Sequence, residues 1–497
     1  MAGKGAAQYH DAKWVMGFGQ SGFQNNVLLD FNNGQNPTVQ LTNSSISMLG
    51  ENASVSDSSG NLLFFTNGIR LYDRNLNFIP GGILTLPYDT TGISVGLPQR
   101  QGCMFLPWPG DTNRYVLLHT TKELPLPMSY PGWIPYYIPA HLYMTVLDKT
   151  LNAGNGGIVS INQVILSDTL SNWGGGLAVT KHANGRDWWI LVKKHYRNKF
   201  YKFLLTPWGV QSMGFQQIGL DYLARLLDAY SFSPNGEILG GNVGDHDIAL
   251  FKFDRCSGVL SNHQILTNPG SNQHYCEDID FSPNSEVLYT NEMVKIYQFN
   301  LLGINTPGVV QQTRTLIADT AWTTEMCDPP GSYKKNYFSF GALAGNSKIY
   351  YPSNFYCPEL TYIEYPDSAG LACSFNYAGI NIINVHSAAI PYFPNYRLGP
   401  VTGSVCDSLT AVHELKSDEV SLYPNPAKDH ITLQSKRSLS KAVITLMNVQ
   451  GQVLFSLQTG TGTGFEVELP RDMGNGIYFL RIHSTEGAVT KKVVVQR

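Results

Sequence analysis

Three carboxylates hold the same offset in three related phrases of this sequence. With the phrases aligned on Val55, Phe232 and Phe281, the residues Glu51, Asp228 and Glu277 each stand four positions upstream, where a strand-like segment begins. Arg100 lies near the equivalent offset in another phrase, and Trp173 precedes Gly174-Gly175-Gly176. If the phrases are innermost strands of units set around an axis, these side chains converge on the mouth of a central channel. An acidic ring flanked by a guanidinium and an indole would bind a cation or a glycan, and facing carboxylates would serve acid and base chemistry on a polysaccharide. The competing reading gives the acids a structural task, accepting backbone N–H groups where units meet.

Other motifs narrow the chemistry. Gly17-Phe18-Gly19-Gln20-Ser21-Gly22 has the form GxGxxG, but it leads into the strand-like Val27–Phe31 and not into the helix that dinucleotide binding requires. No GxSxG, HExxH or Walker sequence occurs. The basic run 193–199 sits between two apolar segments and reads as a solvated hairpin tip. Asp245-His246-Asp247 and Glu277-Asp278-Ile279-Asp280 offer oxygen ligands without a calcium-loop spacing, so they read as turn and strand-end residues. No catalytic residue, metal site or cofactor is assigned.

The elements that must position these residues come from a repeat. Residues 231–242 read SFSPNGEILGGN and residues 280–291 read DFSPNSEVLYTN. In each, alternating residues lead into Ser-Pro-Asn-x and then a second apolar strand, a hairpin pattern. Looser copies fall at 54–65, 107–119, 182–193 and 344–350, and each unit carries a later aromatic strand. Val27-Leu28-Leu29-Asp30-Phe31 is a further copy ahead of the first hairpin, which predicts that a strand from one terminus completes the blade begun at the other. The predicted fold is all-β: a seven-bladed β-propeller over residues 1–402, a linker over 403–420 and a small Ig-like β-sandwich over 421–497. Six or eight blades, and a sandwich of unrelated hairpins, are the alternative architectures.

Composition agrees with that class. Of 497 residues only 14% are charged, whereas 23 Phe, 27 Tyr, 8 Trp, 48 Gly and 27 Pro favour short strands and turns over long helices. The net charge of −3 excludes the basic footprint of a dedicated nucleic-acid binder, and no apolar run is long enough for a membrane-spanning helix. The seven cysteines show no CxxC or zinc-finger spacing. Cys256 with Cys276, and Cys357 with Cys373, are the expected local disulfides, each closing a short loop.

Beyond Pro400 the aromatics thin out, and the last segment alternates cleanly between strands and Gly, Asn, Asp and Pro turns. Leu422-Tyr423-Pro424-Asn425-Pro426, Asn448-Val449-Gln450-Gly451-Gln452, the run Gly476 to Ile482 containing Tyr478, and Lys491-Lys492-Val493-Val494-Val495 follow in order. This segment resembles the type A C-terminal sorting domain of cargo for the Bacteroidetes type IX secretion system. The resemblance assigns Pro424, Asn425, Pro426, Gly451, Gly476, Tyr478, Lys491 and Lys492 to the sorting signal. It also implies a route. Such cargo crosses the inner membrane on an N-terminal signal, folds in the periplasm and leaves through the outer membrane. A sortase removes the tail in the preceding linker, here between about Gly403 and Leu422, and the body is attached to surface lipopolysaccharide or released. Because the first residues lack a secretory signal, the numbering is expected to start near a mature or engineered N-terminus.

The larger region resembles, in the phrases 56–68 and 393–399, the propeller-like parts of Bacteroidetes surface and gliding-associated proteins, which share no common chemistry. The leading expectation is therefore an exported, non-enzymatic module that binds a glycan or protein at the cell surface. A polysaccharide-acting enzyme on the same scaffold, and a structural component of a surface layer or filament, are the alternatives.

Overall fold

The computed structural model describes residues 8–17, 25–48, 50–84, 96–97, 99–125, 137–170, 176–195, 197–221, 229–243, 247–267, 276, 278–292, 294–319, 338–352, 359–382, 389–407, 419–440, 442–448, 453–470, 473–484 and 487–497. The chain divides into two compact units, Met1–Asp407 and Ser408–Arg497. Both are built of small antiparallel sheets, and the one α-helix among the described residues is a single turn, Val309–Gln312.

In the first unit the main sheets are antiparallel meanders, the third interrupted by a short two-stranded pair, Leu124–Pro125 with Tyr137–Ile138. The first has three, Lys13–Met16, Val27–Asp30 and Thr38–Leu41, and the second four, Ala53–Ser56, Leu62–Thr66, Arg70–Asp73 and Phe78–Ile83. The third is Cys103–Pro107, Arg114–His119, His141–Asp148 and Gly157–Ser167, and the fourth Leu177–Lys181, Trp188–Lys193, Lys199–Thr206 and Gly209–Gln217. Tyr230–Phe232, Ile238–Val243, Asp247–Asp254 and Val259–Leu266 form the fifth. The sixth holds Asp278–Phe281, Val287–Asn291, Lys295–Asn300 and Thr315–Asp319, and the last Ala342–Leu343, Ile349–Pro352, Glu359–Ile363 and Phe375–Asn381.

The recurring Ser-Pro-Asn phrase makes the turn between first and second strands. Ser233 Oγ donates to Asn235 Oδ1 (2.7 Å) and accepts the Ile238 N–H (3.0 Å), while Asn235 Oδ1 also takes the Glu237 N–H. Ser282, Asn284, Val287 and Glu286 repeat the same bonds. The fourth position of the turn is left-handed, with φ +73° at Gly236 and +66° at Ser285, so glycine is the least strained choice there. Burial then falls outward. First and second strands such as Leu62–Thr66 and Leu177–Lys181 are buried throughout, whereas the last strand Gly209–Gln217 is mostly exposed.

Apolar clusters join each sheet to the next. Val15 and Phe65 link the first and second sheets, Phe64 and Phe105 the second and third, and Val116 and Ile190 the third and fourth. Trp189 with Phe251, Leu250 with Leu288, and Tyr289 with Tyr351 continue the series. Finally Trp14, Met16 and Leu29 meet Tyr350, Leu360 and Ile380, so the last sheet meets the first and the ring is closed, a propeller-like arrangement. The expected shared strand does not occur. Val27–Asp30 pairs on both edges with its own neighbours, and the last sheet is complete without it. Neighbouring strands joined by short connections pair at low loop-closure cost, and side-chain packing alone seals the ring.

Inside that ring runs a segment with no strand of its own. The Ala389 carbonyl takes Asn52 Nδ2 (3.3 Å), the Tyr392 hydroxyl donates to the Tyr230 carbonyl (3.3 Å), and Phe393 lies 5.9 Å from the Trp14 ring. Tyr396 is buried, donates to the Phe105 carbonyl (2.8 Å) and meets the Trp188 and His10 rings edge-on. Further along, Asn395 reaches the Pro234 carbonyl, Arg255 binds the Gly399 carbonyl (2.6 Å), and the Val401 N–H meets Ala183. Residues 389–401 thus touch the first five sheets and, through Ile390, the last, and thread the channel as a strap, from the ends where first strands begin to the ends where they finish.

In the second unit, Val420–Tyr423, His430–Leu439 and Gly462–Glu468 form one sheet, and Val453–Gln458, Val443–Met447, Gly476–Ser484 and Gly487–Val495 another. Ile431, Leu433, Ile444, Leu446, Leu480 and Val493 fill one core between them.

Candidate functional site

First strands of successive sheets bring their leading residues to one side of the ring. The fourth strands end on that side too, at Ile83, Gln217, Leu266 and Asp319, and it is called here the loop face. Short hairpin turns such as 57–61, 182–187 and 233–237 make the opposite, turn face.

Glu51 lies at the loop-face end of the channel, buried, with Oε2 accepting the Gly102 N–H at 2.8 Å. Burial pushes its carboxyl up to about 8, the backbone donors opposing the shift. A Cβ on Gly102 would sit 2.8 Å from Oε2, so this approach needs glycine. The Arg100 guanidinium stacks 4.2 Å from the Phe340 ring centroid. Glu51 and Arg100 do come together, but around a cavity of about 20 Å³ walled by Phe340, Ala389 and Ile390. Trp173, Asp228 and Glu277 lie outside the described residues.

The acids that sequence reasoning passed over are the next pair. Asp278 and Asp280 alternate along one inner strand, so both point to the same side of it, and both are buried. Asp278 Oδ2 accepts the Gly341 N–H (2.7 Å). Its carboxyl is raised well above the ordinary range by burial and then by the Asp280 charge. Burial likewise raises Asp280, to about 7, against a contribution from the Tyr351 hydroxyl. The signal was present in the Asp-x-Asp alternation of 278–280, but at a strand end it reads as ordinary turn polarity.

Asp280 lines a cavity of about 250 Å³ that opens toward the turn face. Phe232, Phe281, Leu343, Tyr392 and Phe393 form its walls, with Asp11, Asn395 and Arg397 at its rim. The strap occupies the rest of the channel on this side. Arg397 holds Asp11 through two hydrogen bonds of 2.6 Å, tying the strap to the first sheet.

The strap ends on a covalent tie. Cys256, in the turn after Asp254, is bonded to Cys406 with Cα atoms 5.7 Å apart. The expected Cys256–Cys276 pair is therefore incorrect: Cys276 is buried outside any disulfide, and its Sγ donates to Asn242 Oδ1. Cys256 is on the turn face and Cys276 directly precedes a first strand at the loop face, so opposite ends of the strands separate them. Cys373 is also buried and free, which removes the Cys357–Cys373 pair; Cys357 lies outside the described residues.

In the second unit, several of the residues expected to form the sorting signal lie on or beside the terminal strand. Asn425 donates to the Lys492 carbonyl (2.9 Å) and accepts the Val494 N–H (2.8 Å), between Pro424 and Pro426, whose peptide bonds are both cis. Gly476 pairs with Val495, and Tyr478 donates to the Gly474 carbonyl (2.9 Å). Lys491 is half-buried and Lys492 exposed. Gly451 lies outside the described residues.

Comparison with known proteins agrees on this unit. Residues 421–496 match the family described as the secretion system C-terminal sorting domain, so the chain carries the tail of type IX secretion cargo. No curated protein matches the chain. Among solved structures, putative 6-phosphogluconolactonases from Bacteroides fragilis and Bacteroides uniformis are similar at 11% and 12% identity. The alignments cover 77% and 76% of this chain and 97% and 99% of theirs, with TM-scores of 0.43 and 0.44. A periplasmic gluconolactonase from Pseudomonas aeruginosa is 11% identical over 92% of this chain and 99% of its own, with a TM-score of 0.35. Likeness at this level carries no inference about activity.

Proposed function

We propose that this type IX secretion cargo is a non-enzymatic binding module, a seven-bladed propeller that engages a glycan or protein at the cell surface through its loop face. The observation behind this reading is the strap. Where a propeller enzyme would keep facing carboxylates around an open channel mouth, residues 389–401 fill the axis and leave Glu51 and Arg100 a cavity of about 20 Å³. Long connections on one face of a rigid scaffold are the usual carriers of recognition.

The Ig-like tail directs export, and sortase cleavage falls beyond Cys406, so that the disulfide stays with the mature body. The body is then attached to lipopolysaccharide or released. Fusing residues 408–497 to a periplasmic reporter in a type IX-secreting host tests the route: the reporter leaves the cell, and stays in the periplasm when the secretion system is disabled. Binding is tested by probing glycan and surface-protein arrays with the full chain. Turnover of a polysaccharide by the purified protein would refute the non-enzymatic reading.

A further inference from the structure

One carboxyl in the channel has no counter-charge beside it. Asp280 is 6% exposed and lines the cavity of about 250 Å³ beside the strap; the Tyr351 hydroxyl acts on its carboxyl, and its Oδ2 is buried without a well-formed hydrogen bond. Its neighbour Asp278 is served by the Gly341 N–H and by the charge of Arg100. Two hydroxyls share the lining, Ser347 and Ser231, the latter donating to the Phe232 carbonyl (3.5 Å), and the remaining polar side chains are engaged with one another. Asp11 and Arg397 bind each other, while the Asn395 amide donates to the Pro234 carbonyl and accepts the Arg397 N–H. Four aromatic side chains, Phe232, Phe281, Tyr392 and Phe393, stand around what remains.

We propose that this cavity binds a small organic ammonium ion, with its cationic head between Asp280 and the aromatic walls. A buried carboxylate favours a cation, and ring faces add quadrupole attraction to the same charge. A sugar needs several free donors and acceptors spread around its ring, and beside Asp280 the cavity adds little more than the Ser231 and Ser347 hydroxyls. An anion would meet that acid without a free cation to offset it. The volume is below the roughly 300–1,000 Å³ of sites for drug-sized ligands, which suits a compact head on a short chain. This site opens on the turn face and stands independently of the loop-face reading.

The test is calorimetric titration of the full-length protein at pH 8 with choline, its uncharged isostere 3,3-dimethyl-1-butanol, and glucose. Choline should bind at least tenfold more tightly than the isostere, and glucose should give no heat. Asp280→Asn should abolish the preference for choline while Asp278→Asn retains it. Removing an uncompensated buried charge should leave the thermal midpoint of Asp280→Asn at or above that of the natural chain. Equal binding of choline and its isostere, tighter binding of glucose, or an unchanged preference in Asp280→Asn would each overturn the proposal. Because the first contrast uses the unaltered protein, a poorly folded variant does not remove the test.

Discussion

Replacing Cys256 and Cys406 together with serine removes the one covalent tie on the strap and leaves its hydrogen bonds in place. The bridge spans 150 residues. In the chain-entropy model, closing a loop of that length withdraws about 17 cal/mol/K from the unfolded chain, or about 5 kcal/mol at 25 °C. Measured bridges usually deliver less, so a loss of about 3–5 kcal/mol is expected. With a urea slope of about 3 kcal/mol per M, the midpoint should fall by about 1–1.7 M. The assay is equilibrium urea unfolding of both proteins under non-reducing conditions, followed by tryptophan fluorescence, since Trp14, Trp188 and Trp189 are buried around the ring. Adding reductant to the natural protein should move its midpoint toward that of the variant. A shift below about 0.3 M would refute the reasoning, because the unfolded chain would then gain little freedom from the lost bridge.

Burial raises the folded-state pKa of Glu51 to about 8, so folding takes up a proton between its ordinary 4.5 and 8, and stability falls as pH rises through that window. The slope is at most about 1.4 kcal/mol per pH unit, and Glu51→Gln, which keeps an acceptor for Gly102, should flatten it when thermal unfolding is compared at pH 5 and pH 8. A double-mutant cycle on Asp11→Ala and Arg397→Ala should return a coupling of about 1–2 kcal/mol, and a value near zero would place the strap's hold on the first sheet elsewhere. Asn425→Ala removes two hydrogen bonds to the terminal strand, so it should destabilise the tail by about 1–2 kcal/mol and lower reporter export in the host described above. Unchanged export at reduced stability would separate recognition from folding.

The hairpins were readable because their information is local. Ser233-Pro234-Asn235-Gly236 and Ser282-Pro283-Asn284-Ser285 carry their own hydrogen bonds and left-handed turn position, and the apolar alternation on either side fixes which residues pair. The sorting tail was readable for a similar reason, since its motifs stand in order along about 76 residues that match one family. The site was much less legible. Offset counting joined Glu51 to Arg100 but passed over Asp280, whose importance comes from its burial beside a cavity without a counter-charge, and that is a property of the surroundings.

The sequence by itself determined an all-β chain of repeated hairpins with an export tail, because alternation, turn chemistry and motif order act over a few residues at a time. Only the tertiary structure decided that the ring closes through Trp14, Tyr350 and Leu360 without a shared strand. It likewise decided that Ala389–Val401 fills the channel and that Cys256 finds Cys406. Those outcomes depend on which surfaces meet once the sheets have assembled. The strap has no period to reveal its place, since its side chains are held by several different sheets.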